Sequence, residues 1–180
     1  MNWIDEAQAK IKQNNQMLFA KNSEYLQDLI LLFQKYNHRV VTLWAFDFAA
    51  ETIAKLNTKY PNEKRPREAL EAAQNWAAGK IQMGMAKKKI LACHAFSKEL
   101  DCKTDIAMCH AVGQACAVVH TVGHAIGYPI YDLSSVIFEC GIENCKEAVE
   151  KRKQEYISRL YDWNENWIHS QMEWAAFMLR

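Results

Sequence analysis

The amino-acid sequence predicts an all-α, single-domain helical bundle, and three observations carry that expectation. Half of the 180 residues are hydrophobic and aromatics are frequent, so one domain of this length can bury a core of its own and disorder is not expected. Six Gly and three Pro leave few breaks, and the stretches between them lack the two-residue alternation of strands. Between Asp105 and Asp132 there is no Lys, Arg, Asp or Glu, although 24% of the chain is charged. A helix that is apolar all round belongs in the middle of a bundle. This one is dense in small residues, Ala107, Ala111, Gly113, Ala115, Ala117, Gly123, Ala125 and Gly127, which let neighbouring helices approach closely. The bundle is therefore expected to form around a central helix over about 104–128.

The remaining elements follow in order. Ile4, Ala7, Ile11 and later Leu18 suggest a rather polar first helix from Trp3 to about Phe19, within an N-terminal helical extension over 1–35. Asn22-Ser23 can cap a second helix with an apolar stripe of Leu26, Leu29, Ile30 and Phe33. Asn37 caps a third, His38–Lys55, that buries Val40, Val41, Trp44 and Phe48. Asn57–Arg65 reads as a loop. Pro66 suits the first position of a fourth helix, where its missing N–H is not needed. That helix turns Ala69, Leu70, Ala73, Trp76 and Ala77 inward and ends at Gly79 as a left-handed cap. A fifth helix, Lys80–Glu99, carries Lys87-Lys88-Lys89 and the pair Cys93-His94.

Thr104 is the expected cap of the central helix, and Pro129 ends it, kinks it or opens the next. Ile130–Cys140 follows as a short apolar helix closed by Gly141. Cys145–Tyr161 then keeps Val149, Tyr156 and Leu160 on its inner face. Residues 163–180, with Trp163, Trp167, Trp174 and Phe177, read as an aromatic C-terminal helix docking on the bundle. The small-residue packing would equally serve a homodimer.

Composition narrows the function classes. A net charge of +1 gives no global attraction to nucleic acid. The basic residues between Lys55 and Lys89 are not interleaved with aromatics for base stacking, so they read as a solvated face. The first sixteen residues contain early acidic groups and no apolar core of a secretory signal, which points to the cytoplasm, where thiols stay reduced. The six Cys then read mainly as small buried hydrophobes. Ile106–Tyr131 is long enough to span a bilayer, but its three His, Gln114 and Pro129 oppose that, and no membrane partner is expected.

One pattern points to chemistry. Cys116, His120 and His124 at i, i+4 and i+8 would form a ladder on one helical face, with His94 of the preceding helix as a fourth ligand. Thiolate and imidazole are ordinary Zn²⁺ ligands. Against that, there is no His-Glu-x-x-His, no Cys-x-x-Cys and no carboxylate within the segment to orient an imidazole. No cofactor is the leading expectation, and a zinc- or thiol-dependent small enzyme at these four residues is the alternative. Cys93, Cys109 and Cys116 stand in no recognisable nucleophile signature. Arg39 or Arg67 is expected to pair with Asp47 or Glu51 for structural reasons.

Four blocks carry a resemblance: LWAFDFAAETI (Leu43–Ile53), RPREALEAAQNWAAGKI (Arg65–Ile81), ACHAFSKE (Ala92–Glu99) and GQACAVVHTVGHAIGYPIY (Gly113–Tyr131). In this order and spacing the chain resembles the bacterial putative immunity protein family, small helical proteins grouped with the immunity proteins of polymorphic toxin systems. The likeness is firmest over about 43–138. It implies an all-α fold, a cytoplasmic location, no catalysis, and the binding and neutralising of a cognate protein toxin. By motif position it singles out Arg65, Pro66, Arg67, Trp76, His94, His120 and His124 as binding or structural residues. The three closely spaced cysteines depart from the family's Ala-rich pattern.

Overall fold

The structure, a computed structural model, describes residues 2–179, and helix is the only regular secondary structure among them. Its α-helices are α1 (Trp3–Lys12), α2 (Gln27–Lys35), α3 (His38–Lys59), α4 (Arg65–Ala77), α5 (Met83–Phe96), α6 (Lys103–Ala117), α7 (Gly127–Cys140) and α8 (Lys146–Asn166). None of the described helices is long and apolar enough to cross a membrane.

Local punctuation sets most boundaries. Asn2 caps α1 by accepting from the Ile4 N–H. The helix stops at Lys12 rather than near Phe19, because Asn14 takes a left-handed φ of 57°. Glu6 then holds the returning chain, one carboxylate oxygen accepting from the Ala20 N–H at 2.7 Å and the other from the Ser23 hydroxyl at 2.6 Å. Asn37 caps α3 through the Arg39 N–H at 2.9 Å, and α3 runs one turn past Lys55. Pro66 occupies the second position of α4 instead of the first. Gly79, at φ 76°, ends α4 as expected, in a conformation that costs glycine little.

The stretch expected as one helix over 104–128 is two helices. α6 starts after Cys102, with Thr104 inside it, and ends at Ala117. Val118, Val119, Thr121 and Val122 are β-branched and poor helix formers. The ending is satisfied from outside, since the His38 ring donates to the Val118 carbonyl at 2.6 Å. Thr121 then caps a short 3₁₀ turn, Val122–His124, through the Gly123 N–H. The chain reverses there. α7 packs antiparallel on α6, which sets Tyr131 against His110 and Gly127 against Gln114. α6 still lies at the centre, touching α3, α4, α5 and α7.

The deepest part of the core joins α3, α7 and α8. Trp44, Phe48, Tyr128 and Tyr156 pack edge-on or tilted, with centroids 5.0–6.1 Å apart. Into this cluster α8 inserts Arg152, only 7% exposed, with its guanidinium 4.9 Å from the Phe48 ring centre. Its Nε donates to Asp132 Oδ2 at 2.6 Å, and the Tyr156 hydroxyl donates to the same oxygen at 2.6 Å. Nη1 reaches Glu51 and Glu155, both at 2.8 Å. Glu51 and Asp47 are therefore partnered by Arg152 and Arg159 of α8, not by Arg39 or Arg67. Arg39 instead lies 4.5 Å over the Trp167 ring.

The aromatic segment over 163–180 is not a helix of its own. α8 continues through Trp163 to Asn166, and the chain beyond it forms a strap with 3₁₀ turns at Trp167–His169 and Ala176–Leu179. The Ala175 N–H donates to the Ala77 carbonyl at 2.8 Å, Met178 is buried, and Phe177 lies 5.9 Å from Trp76. The strap thus lies against the bundle; Arg180 lies outside the described residues.

A cleft beside the break in the central helix

Ending α6 at Ala117 opens a cleft of about 370 Å³ between α4, α5 and α6. Trp76 closes one side, with Met83, Ile90 and Leu91 of α5 opposite and Ala117 between them. Its polar groups are Lys87, His94, Gln114, His120 and His124, and no carboxylate lines it among the described residues. Its volume and mixture of apolar wall with few polar groups are those of a small-ligand or side-chain pocket.

Four of the residues singled out by sequence, Trp76, His94, His120 and His124, meet here. They do so because the helix breaks, not because it continues. His120 turns out to solvent and stacks on Trp76, with ring centres 6.4 Å apart, and His124 follows at 6.2 Å from His120. Cys116 stays fully buried in the core and does not line the cleft. The ladder of Cys116, His120 and His124 is therefore not formed.

Among the described residues no group of three or more His, Cys, Asp or Glu side chains is arranged to hold a metal ion. Cys116 points into the core, away from His94, His120 and His124. The thiols are also poor nucleophiles. Burial pushes Cys109 and Cys116 up to about 12 and raises Cys93 strongly, so all three are held as neutral thiols.

Arg65 and Arg67 lie elsewhere. Arg65 makes two bonds to Glu99 at 2.6 and 2.8 Å and two to Glu63 at 2.8 and 2.6 Å, and it lies over the Phe96 ring. It clamps the start of α4 to the turn that follows α5. Arg67 is exposed and forms no hydrogen bond or ion pair with any described residue.

Behind the cleft a hydrogen-bonded relay holds His94. The Ser97 hydroxyl donates to the His94 carbonyl at 2.7 Å, which uses its single proton. It must therefore accept from His110 Nε2–H, 3.2 Å away. That leaves His110 Nδ1 bare, so the 2.8 Å contact between the two Nδ1 atoms is His94 donating to His110. Both rings are neutral at pH 7, since burial, reinforced by His110, lowers His94 to about 4 and burial lowers His110 as well. Tyr131 flanks His110 at 5.0 Å between ring centres. The His94 ring lies directly on Gly113, where any Cβ would collide with it.

The sequence reading overlooked His110. The signal was present: His94 and His110 are 16 residues apart and equidistant from the turn at Cys102, so folding α5 back on α6 sets them opposite each other.

A family model described as Imm-5 like putative immunity protein matches residues 31–159, a span that contains every residue lining the cleft. No curated protein and no solved structure matches the chain.

Proposed function

The chain belongs to the Imm-5 like putative immunity protein family, and from that premise we propose that it binds and neutralises a cognate protein toxin in the bacterial cytoplasm, without catalysing a reaction. The observation that carries the binding face is the outer side of α5. Met83 and Leu91 are 48% and 55% exposed there, at the mouth of the cleft. Met83, Lys87 and Leu91 recur every four residues and form one stripe along the helix. His120 and Phe177 continue this surface onto the neighbouring connection and strap.

The charge on this face selects the partner. Lys87 forms no ion pair with any described residue, and the cleft between it and Trp76 has no acid to neutralise it. An acidic or apolar toxin surface complements it, whereas the basic surface of a nuclease would be repelled. A rigid bundle that covers its target needs only such a face, with an apolar centre and a charged rim.

The test is growth rescue. Each toxin encoded beside this gene is expressed with the wild type, with Leu91→Arg, and with Lys12→Glu on the distant α1. Rescue by wild type and Lys12→Glu, reduced at least about tenfold by Leu91→Arg, is expected, since an interface anchor is worth about 1.4 kcal/mol or more. Failure of the wild type to rescue against every such toxin overturns the immunity reading. Equal rescue by Leu91→Arg overturns the assignment of the face.

A further inference from the structure

We propose that the cleft is a binding site for an aromatic ring bearing a single hydrogen-bond donor, a phenol in the first instance, with His94 Nε2 as the acceptor. The proposal rests on the cleft and the relay behind it and stands whether or not the toxin reading does.

The tautomers decide what the cleft offers. Ser97 donates to a carbonyl, His110 donates to Ser97, and His94 donates to His110. Each proton in the relay is committed away from the cleft. His94 is left with a bare Nε2, which forms no hydrogen bond with any described residue, on a ring that lines the cleft. Nε2 keeps access to solvent, and a ligand donor there takes the place of a water. A carboxylate placed at His94 would meet a lone pair rather than a proton, so an anion is the wrong ligand at this end.

The walls select a flat body. Trp76 backs the His120 ring, while Met83, Ile90 and Leu91 supply the opposite wall. Aromatic faces and a thioether are favourable neighbours for an aromatic ring. The Gln114 side chain lies close over Gly127, where a Cβ would meet it. A volume of about 370 Å³ accommodates one ring with room for its attachment. This chemistry has two sources, a free phenol or the tyrosine side chain of a protein partner.

The experiment is an NMR titration of the full chain, following the imidazole resonances of His94 and His120. Three probes are used: p-cresol, 4-methylanisole (the same ring with its donor methylated), and N-acetyl-tyrosinamide. Saturable shifts with p-cresol, and binding about fivefold weaker for 4-methylanisole, are expected from the worth of one net hydrogen bond. Ala117→Leu, which adds bulk to the cleft without touching the relay, is expected to abolish the p-cresol shifts. N-acetyl-tyrosinamide shifting the same resonances identifies a peptide-borne tyrosine, and its exclusion while p-cresol binds identifies a free phenol. Equal affinities for p-cresol and 4-methylanisole, no saturation by either up to about 10 mM, or unchanged binding in Ala117→Leu overturns the proposal.

Discussion

Asp132→Ala is the substitution that tests most directly what holds this fold together. Asp132 is 3% exposed and its Oδ2 accepts from both Arg152 Nε and the Tyr156 hydroxyl at 2.6 Å. Removing the carboxylate orphans two buried donors, one of them charged. Each unsatisfied group costs about 1–3 kcal/mol, and a buried ion pair broken from one side costs about 3–5 kcal/mol. Arg152 keeps Glu51 and Glu155, each at 2.8 Å, so the expected loss is at the lower end, about 3 kcal/mol. For a chain of this size that lowers Tm by roughly 10 °C. Urea unfolding followed by far-UV circular dichroism gives the free energy directly. Glu155→Ala, which removes a half-exposed partner, is the internal comparison and should cost less than about 1 kcal/mol. Asp132→Leu combined with Arg152→Met should be less destabilised than the sum of its two single variants, because it removes both charges together. If Asp132→Ala costs no more than Glu155→Ala, the buried network is not what joins α3, α7 and α8, and the aromatic cluster alone must do so.

The relay and the glycine beneath it make two further predictions. The folded state depresses His94 from 6.5 to about 4, so between those values the unfolded chain binds the proton and the native chain does not. Stability is therefore complete above about pH 6.5 and falls as the pH drops toward 4; at about 1.4 kcal/mol per unit the ceiling is near 3 kcal/mol, and partial solvent access should reduce it to about 1–2 kcal/mol. Urea midpoints measured from pH 7.5 to 4.5 on wild type and His94→Gln check this, and an equally steep decline in the variant would assign the effect to other groups. Gly113→Ala drives a methyl into the His94 ring and should cost about 2–3 kcal/mol. Gly84→Ala in α5 meets open space and should stabilise by about 0.5 kcal/mol; the same sign for both would contradict the close approach at Gly113.

What the sequence revealed depended on how locally each feature is encoded. Asn37, Pro66, Gly79 and Gly141 act on the backbone within one or two residues, and each marks a boundary close to where the structure has it. The break after Ala117 was hidden because absence of charge dominated the reading, while the opposing signal was a weak preference spread over Val118, Val119, Thr121 and Val122. Trp76, His94, His120 and His124 belong together, yet helical spacing assigned three of the candidate ligands to a ladder that the fold does not build. Arg152 and Asp132 were beyond reach for a different reason. Their pairing joins separate helices, and a charged side chain on an apolar face does not by itself name its partner.

The partners of Arg152 also fix when the protein becomes itself during synthesis. Glu51 precedes it by 101 residues, and Trp44 precedes its own acceptor, the Tyr156 carbonyl, by 112. At ribosomal speed that interval lasts roughly 5–20 s. Once α3 emerges, and until α8 follows it, Trp44, Phe48 and two carboxylates face the position α8 will fill. A nascent chain halted before Lys146 therefore displays an open aromatic seam, the kind of surface that chaperones hold. Emergence of α8 covers that seam and satisfies its charges in one step, so quality control on this chain turns on the moment α8 becomes free to dock.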